Sequence, residues 1–322
     1  MKGEFLMKKI LGWLLVIALM LWAVGCAAET PGETSGNGDA GTGTVTAPTE
    51  EPKSPEPTTP AEPEAKPAPA EPEKVTYVVE WEVIERTVLA ADNTKLAELR
   101  YRMPLLQAVG KDGAVITRGT SDVQIRALEV TAAFNERFDS WREENETLKM
   151  YAESGYQENP GYFAMGLYYA DGLDFAVWQT ERLVSLWGNS YSFYGGAHPN
   201  SAFLGWNFDL ESGTYVNALS LGLDQQEFRT VVAEELIEQA QDRAVALQQE
   251  PTSMYWEDYR AILQNWNDYP VSFDDTGMTV RFSPYELGSY AAGAHEFTIE
   301  YEFLDPYLGD YGRELLGRTP TA

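Results

Sequence analysis

The chain is predicted to be α+β, with antiparallel sheets, a few packed helices and two small lobes or domains. Three observations lead there. Apolar residues alternate at period two through residues 75–103, 175–219 and 271–303, the spacing of half-buried strands. Two stretches, 121–148 and 224–247, instead place apolar residues three and four apart, as helices do. The strands come in runs separated by turn residues rather than alternating singly with helices, which disfavours a wound parallel sheet.

Along the chain, Val75, Tyr77, Val79, Trp81 and Val83 alternate with more polar neighbours. After the turn residues Ala91-Asp92-Asn93, the set Ala97, Leu99, Tyr101 and Met103 does the same, so the two runs form a hairpin. Ser121 and Gln124 have the spacing of a capping box, and Ala127, Val130, Phe134, Phe138, Trp141 and Leu148 follow as one buried stripe of one helix. Its charged end, Arg142 to Glu146, reads as a solvated face. A second β-rich region has a turn at Asp171-Gly172, a strand alternating over 175–187, a break at Gly188-Asn189 and extended structure over 191–194. Residues 203–210 and 214–219 flank the turn Glu211-Ser212-Gly213 as another hairpin. Asp224, three before Glu227, caps a helix with Phe228, Val232, Leu236, Ala240, Ala244 and Leu247 on its apolar side. A shorter helix carries Trp256, Tyr259, Leu263 and Trp266. Strands at 271–273 and 278–282 around the turn Asp275-Thr276-Gly277, and a final strand using Phe297, Ile299, Tyr301 and Phe303, complete the folded part.

Composition excludes more than it names. A net charge of −27 argues against nucleic acid, because phosphate binding relies on Lys and Arg. One cysteine precludes an internal disulfide and a Cys-cluster metal site, and two histidines preclude a three-His site. Lys2, Lys8 and Lys9 precede an apolar run over 10–24 that is short for a bilayer span and has the plan of a secretory signal, residues 1–25. Ala23-Val24-Gly25-Cys26 resembles the lipobox of bacterial lipoproteins, which implies lipidation of Cys26 and a place on the outer face of the cytoplasmic membrane. An ordinary signal peptide with an incidental cysteine is the alternative. Residues 26–74, Gly/Ser/Thr-rich and then Pro/Glu-rich without an aromatic, read as a disordered tether. Two domains follow, 75–170 and 171–322, and residues 75–322 carry −22, so the folded part itself is acidic.

No nucleophile elbow, P-loop, dinucleotide glycine fingerprint or H-E-x-x-H occurs, and no catalytic residue, metal or cofactor is assigned. Ser272-Phe273-Asp274-Asp275 looks like the Asp-Asp motif of polysaccharide deacetylases, but His198 and His295 are isolated from each other, so the aspartates read as turn residues. Both histidines sit beside small residues, in Gly195-Gly196-Ala197-His198-Pro199-Asn200 and Ala292-Gly293-Ala294-His295-Glu296. They could share a polar site or be two structural histidines satisfied by backbone carbonyls. Trp187, Trp206, Trp256 and Trp266 could stack sugar faces or fill cores.

The run from Tyr191 to Asn200 with Asn207-Phe208-Asp209-Leu210 and Ser212-Gly213, and the later run from Gly277 to Gly293 with its Ser283-Pro284-Tyr285-Glu286, resemble the C-terminal domain of the RsiV extracellular region. Residues 75 to about 170 are similar, more loosely, to the PdaC-type domain that precedes it. The resemblance implies an α+β extracytoplasmic binding module rather than an enzyme. It implies as partner a lysozyme-like cationic protein, with a peptidoglycan fragment as the alternative ligand. The candidate motif or ligand-site positions are Tyr194, Gly195, Gly196, His198, Asn200, Tyr285, Tyr290, Gly293 and His295.

Overall fold

The computed structural model describes residues 73–143 and 145–319, so the expected signal, Cys26 and nearly all of the tether lie outside the described residues. Six strands make the larger sheet, in spatial order β1 (Thr76–Leu89), β2 (Lys95–Val109), β3 (Tyr169–Gln179), β4 (Leu183–Phe193), β5 (Asn200–Asp209) and β6 (Thr214–Val216). A smaller sheet holds β7 (Val271–Phe273), β8 (Gly277–Phe282) and β9 (His295–Glu300). The protein is α+β, and among the described residues the strand pairs are antiparallel with one exception. β2 and β3 run parallel, from Ala97 opposite Tyr169 to Arg102 opposite Asp174. Between them the chain crosses through helices α1 (Asp122–Asn135), α2 (Asp139–Glu143), α3 (Asn145–Glu158) and α4 (Pro160–Ala164). The break expected between residues 170 and 171 falls inside β3, which is paired with strands on both sides.

The parallel joint ends at Arg102, and Pro104 follows two residues later inside β2. A proline has no N–H to give a neighbour, so it fits where β3 has already left that edge. Beyond it, the side-chain amide of Asn135 takes the strand's place, accepting from the Leu106 N–H at 2.9 Å and donating to the Leu106 carbonyl at 3.0 Å. No backbone polar group at Leu106 is left unpaired.

Among the described residues the core falls into two hydrophobic clusters. One is built on the face of the larger sheet under α1–α4, with Leu99, Tyr101, Phe134, Phe138, Phe175 and Phe208. The other lies between the smaller sheet and the helix α5 (Gln225–Ala246), with Phe228, Leu236, Trp266, Phe282 and Phe297. The smaller sheet also covers part of the larger sheet's second face. There the Phe273 N–H donates to Ser185 Oγ at 2.7 Å and the Asn207 amide donates to the Val271 carbonyl at 3.0 Å. Among the described residues no helix is long and apolar enough to cross a membrane.

Several elements differ from the sequence reading; the short helix, for one, spans only Tyr259–Gln264 and leaves out Trp256 and Trp266. The single helix expected over 121–148 is broken by a 3-10 turn at Glu136–Phe138, because the buried stripe bends to keep Phe138 against Phe175 while Trp141 faces Trp206. The expected turn at Asp171-Gly172 lies within β3, and the chain reverses instead at Thr180, whose Oγ1 accepts from the backbone of Arg182 and Leu183. Gly188 does not break β4. It sits opposite Phe175, whose ring occupies the space a Cβ would need, only 2.4 Å away. Finally, β9 ends at Glu300, and Tyr301 and Phe303 belong to the short helix Tyr301–Leu304.

Candidate functional site

The two signature segments meet. After β4, Tyr194 to Pro199 reverse the chain through Gly195 and Gly196, at φ 80° and 120°, a backbone that side-chain-bearing residues rarely adopt. Facing this turn is the segment after β8. Ser283 to Glu286 form a β-turn closed by Glu286 N–H to the Ser283 carbonyl at 3.0 Å, with Pro284 at its second position. Tyr285, at the third, has φ 76°, where such a turn ordinarily takes glycine. The Glu286 carboxylate accepts from the Ser283 N–H at 2.5 Å, Ser283 Oγ accepts from the Phe203 N–H of β5 at 3.0 Å, and the Trp256 indole N–H donates to the Tyr285 carbonyl at 3.1 Å. These bonds hold a left-handed tyrosine, a conformation that costs of order 1–3 kcal/mol.

His198 lies in the middle. Its ring stacks on Tyr290 with centroids 3.9 Å apart and planes at 22°. Its Nδ1 is 2.9 Å from the Pro199 carbonyl, which can only accept, so Nδ1 carries a proton, and Nε2 faces the Tyr285 hydroxyl at 3.4 Å. The Tyr290 hydroxyl also donates to the Pro199 carbonyl, at 3.1 Å. Tyr285 is 55% exposed, so the group presents an aromatic and hydroxyl surface to solvent on a fixed backbone. The partner that orients Nδ1 of His198 is thus a backbone carbonyl, where nucleophilic triads place a carboxylate.

The remaining singled-out residues have other surroundings. Tyr194 donates to Asp171 at 2.7 Å and packs on Tyr151 and Tyr169. Burial pushes the Asp171 carboxyl up, against the hydrogen bonds of Tyr194 and Tyr101. Asn200 is exposed at the start of β5, and Gly293, at φ 79°, ends the short turn that carries Tyr290. His295 is buried, edge-on to Tyr255 at 5.0 Å, and its Nε2 and the Tyr255 hydroxyl lack hydrogen-bond partners. The two histidines therefore serve different neighbourhoods, and among the described residues no group of three or more His, Cys, Asp or Glu is placed to hold a metal ion. Asp274 closes its own turn by accepting from Thr276 and Gly277, and Asp275 accepts from the Trp178 indole, so the Asp-Asp pair is a strand-end turn.

Burial, and then the Arg243 guanidinium, hold His295 below its ordinary value of 6.5. A base that stays neutral when folded but protonates when unfolded contributes stability that is fully present above the unfolded value and is lost as pH falls below about 6.5. Denaturant melts of the parent are expected to weaken between pH 7.5 and 5.5, and His295→Gln is expected to flatten that slope. An unchanged slope would show that His295 does not carry it.

Several residues have roles at the site that the sequence did not indicate. Trp256 holds Tyr285 by its indole, and Asp258, Asp268 and Glu286 all act on the Tyr269 hydroxyl. Burial first, and then those three carboxylates, push Tyr269 up. A Pro-Tyr pair at the centre of a turn was the one legible hint of the strained tyrosine. Of the four tryptophans offered for sugar stacking, Trp266 is fully buried and Trp206 is packed among Phe138, Phe175 and Trp141, so burial removes the first from any ligand.

No curated protein matches the chain. A DUF3298 family member from Bacteroides fragilis NCTC 9343 has a similar solved structure, with TM-score 0.50 and 16% identity over 74% of this chain and 96% of that one. A DUF3298 family protein from Pseudomonas aeruginosa PAO1 gives TM-score 0.43 and 14% identity over 72% and 94%. Residues 223–302, from the cap of α5 through β9, match the family described as "Protein of unknown function (DUF3298)". The segment with Tyr285, Tyr290 and His295 lies within that match, whereas the turn with His198 precedes it. The chain carries a DUF3298 domain at residues 223–302.

Proposed function

We propose that this protein is a non-catalytic, extracytoplasmic binding module, tethered to the outer face of the cytoplasmic membrane through a lipid on Cys26, with a lysozyme-like cationic protein as its ligand. The RsiV-like reading of 171–322 and the PdaC-type reading of 75–170 are part of the same proposal. The observation that carries it is Tyr285, a half-exposed aromatic kept at φ 76° by hydrogen bonds from three directions. Strain of this kind persists where the surroundings enforce it, and ligand clamps are among the places where it collects. A rigid tyrosine presents large contact area at low entropy cost. Glu286 follows Tyr285 in the turn, and the exposed Glu257 and Asp258 follow Trp256, whose indole holds the Tyr285 carbonyl, so a basic partner would meet carboxylates beside the aromatic surface.

Calorimetric titration with lysozymes of several types, at low and moderate salt, tests the proposal. Saturable binding that weakens with salt is expected, and no binding by any of them would reject it. Tyr285→Gly separates binding from folding. Glycine accepts the backbone without strain, so the variant is expected to keep the parent's stability within about 1 kcal/mol. It is expected to lose at least tenfold in lysozyme affinity. Parent-like affinity in the variant would remove Tyr285 from the interface.

A further inference from the structure

We propose a second binding site, on the open face of the larger sheet, whose ligand is an uncharged oligosaccharide. Along β4, Val184 and Leu186 face the helical cluster, so Trp187, Asn189 and Tyr191 project from the opposite face. The smaller sheet covers that face at Ser185 and reaches as far as Trp187, against whose ring Arg281 of β8 lies. What remains is a groove of about 670 Å³ lined by these three residues with Arg102 of β2, Asp174 of β3 and Phe203 of β5, among others. This is the size of small-ligand clefts, roughly 300–1,000 Å³.

The charges in the groove are matched. Arg102 pairs with Asp174 at 2.8 Å, Arg100 with Glu85 at 3.2 Å, and Glu296, at the end nearest the smaller sheet, with Arg281 at 2.8 Å. On a folded part carrying −22, a neutral concavity stands out. An ionic ligand would meet a charge of its own sign beside any partner it gained, whereas an uncharged polar ligand would not. The polar groups are also fixed before any ligand arrives. The Arg102 guanidinium lies 3.6 Å from the Trp81 ring and donates to the Phe175 carbonyl at 2.8 Å. Arg281 lies 4.3 Å from the Trp187 ring and donates to Ser272 Oγ at 2.5 Å. Prior ordering lowers the entropy lost on binding.

Trp187, Tyr191 and Phe203 offer aromatic surface, with Tyr191 40% exposed. Asn189 supplies both a donor and an acceptor, Asp174 an acceptor and Arg102 a donor. A pyranose ring combines an apolar C–H face with a rim of hydroxyls that both donate and accept, which is the complement of this lining. An extended peptide fits less well. The groove lies on a sheet face whose floor is β4, paired with β3 on one side and β5 on the other, so that floor offers no edge for an added strand.

The test uses the full chain with cellotetraose and N-acetylchitotetraose as neutral probes and trigalacturonate as a charged one, read by calorimetry and tryptophan fluorescence. At least one neutral probe is expected to bind saturably, and trigalacturonate at least tenfold more weakly. Asn189 and Tyr191 are exposed, so their alanine variants should fold. The double variant Asn189→Ala/Tyr191→Ala is expected to weaken binding tenfold or more and to leave lysozyme binding unchanged. Tyr285→Gly is expected to leave sugar binding unchanged. Absence of saturable binding to both neutral probes, or a double variant within threefold of the parent, would overturn the proposal.

Discussion

Asp209→Ala is expected to lower the unfolding free energy by about 3 kcal/mol, within the range of roughly 3–5 kcal/mol for breaking a buried ion pair. Asp209 is 1% exposed. Its carboxylate accepts from Arg182 Nε at 3.2 Å and Nη2 at 3.3 Å, from the Tyr311 hydroxyl at 3.2 Å and from the Glu211 N–H at 2.9 Å. Removing it strands a hydroxyl, an N–H and half of a guanidinium fork. The figure sits at the low end because Arg182 keeps Glu211 at 2.9 Å and Glu314 at 2.7 Å. Burial alone would raise the Asp209 carboxyl, but the Arg182 and backbone hydrogen bonds outweigh it and hold the group below its ordinary 3.8. Its contribution is therefore present at neutral pH and lost only as pH falls below that value. Urea melts at pH 7 measure the effect, and a loss under 1 kcal/mol would show that the cluster around Arg182 is not a stabilising joint.

Trp266→Ala is expected to cost about 3–5 kcal/mol, the usual range for deleting a buried large aromatic. Trp266 is wholly buried, edge-on to Phe228 at 6.1 Å, and its indole donates to the Arg229 carbonyl at 3.0 Å. Both contacts tie the chain to α5, so the cavity opens between helix and sheet where little can collapse into it. Trp256→Ala gives the comparison. Its ring is 39% exposed, so stability should fall much less, while the lost bond to the Tyr285 carbonyl loosens the turn beside His198. Equal losses in the two variants, read by the same melts, would contradict the burial argument.

Local chemistry was legible where one residue decides it. Ser121 caps α1 by accepting from the Gln124 N–H at 3.2 Å, while the Gln124 side chain reaches back to Thr120, one residue short of the box expected. Asp224 caps α5 through Gln226 and Glu227, and the β1–β2 hairpin turns at Asp92-Asn93 with Asn93 at φ 67°. What could not be read was set by partners far along the chain. Gly188 looks like a breaker until Phe175 is opposite it, and β2 looks like an ordinary hairpin strand until β3 lies parallel to it. The candidate site shows the same division. His198 and Tyr285 could be named from their motifs, but their approach to 3.4 Å depends on the Ser283 to Phe203 bond, which joins residues eighty apart.

The parallel pairing of β2 with β3 bears on how this chain assembles. Each antiparallel joint of the larger sheet closes between neighbours in sequence, so loop-closure entropy opposes it weakly. The joint from Ala97 to Arg102 is different, because it closes a loop through residues 103–168 for six residue pairs. Only the crossover helices, by burying Phe134, Phe138 and Phe163 against the strands, make that closure favourable. The β1–β2 ribbon and the β3–β6 meander are thus locally specified halves, and joining them is the high-contact-order step that slows folding.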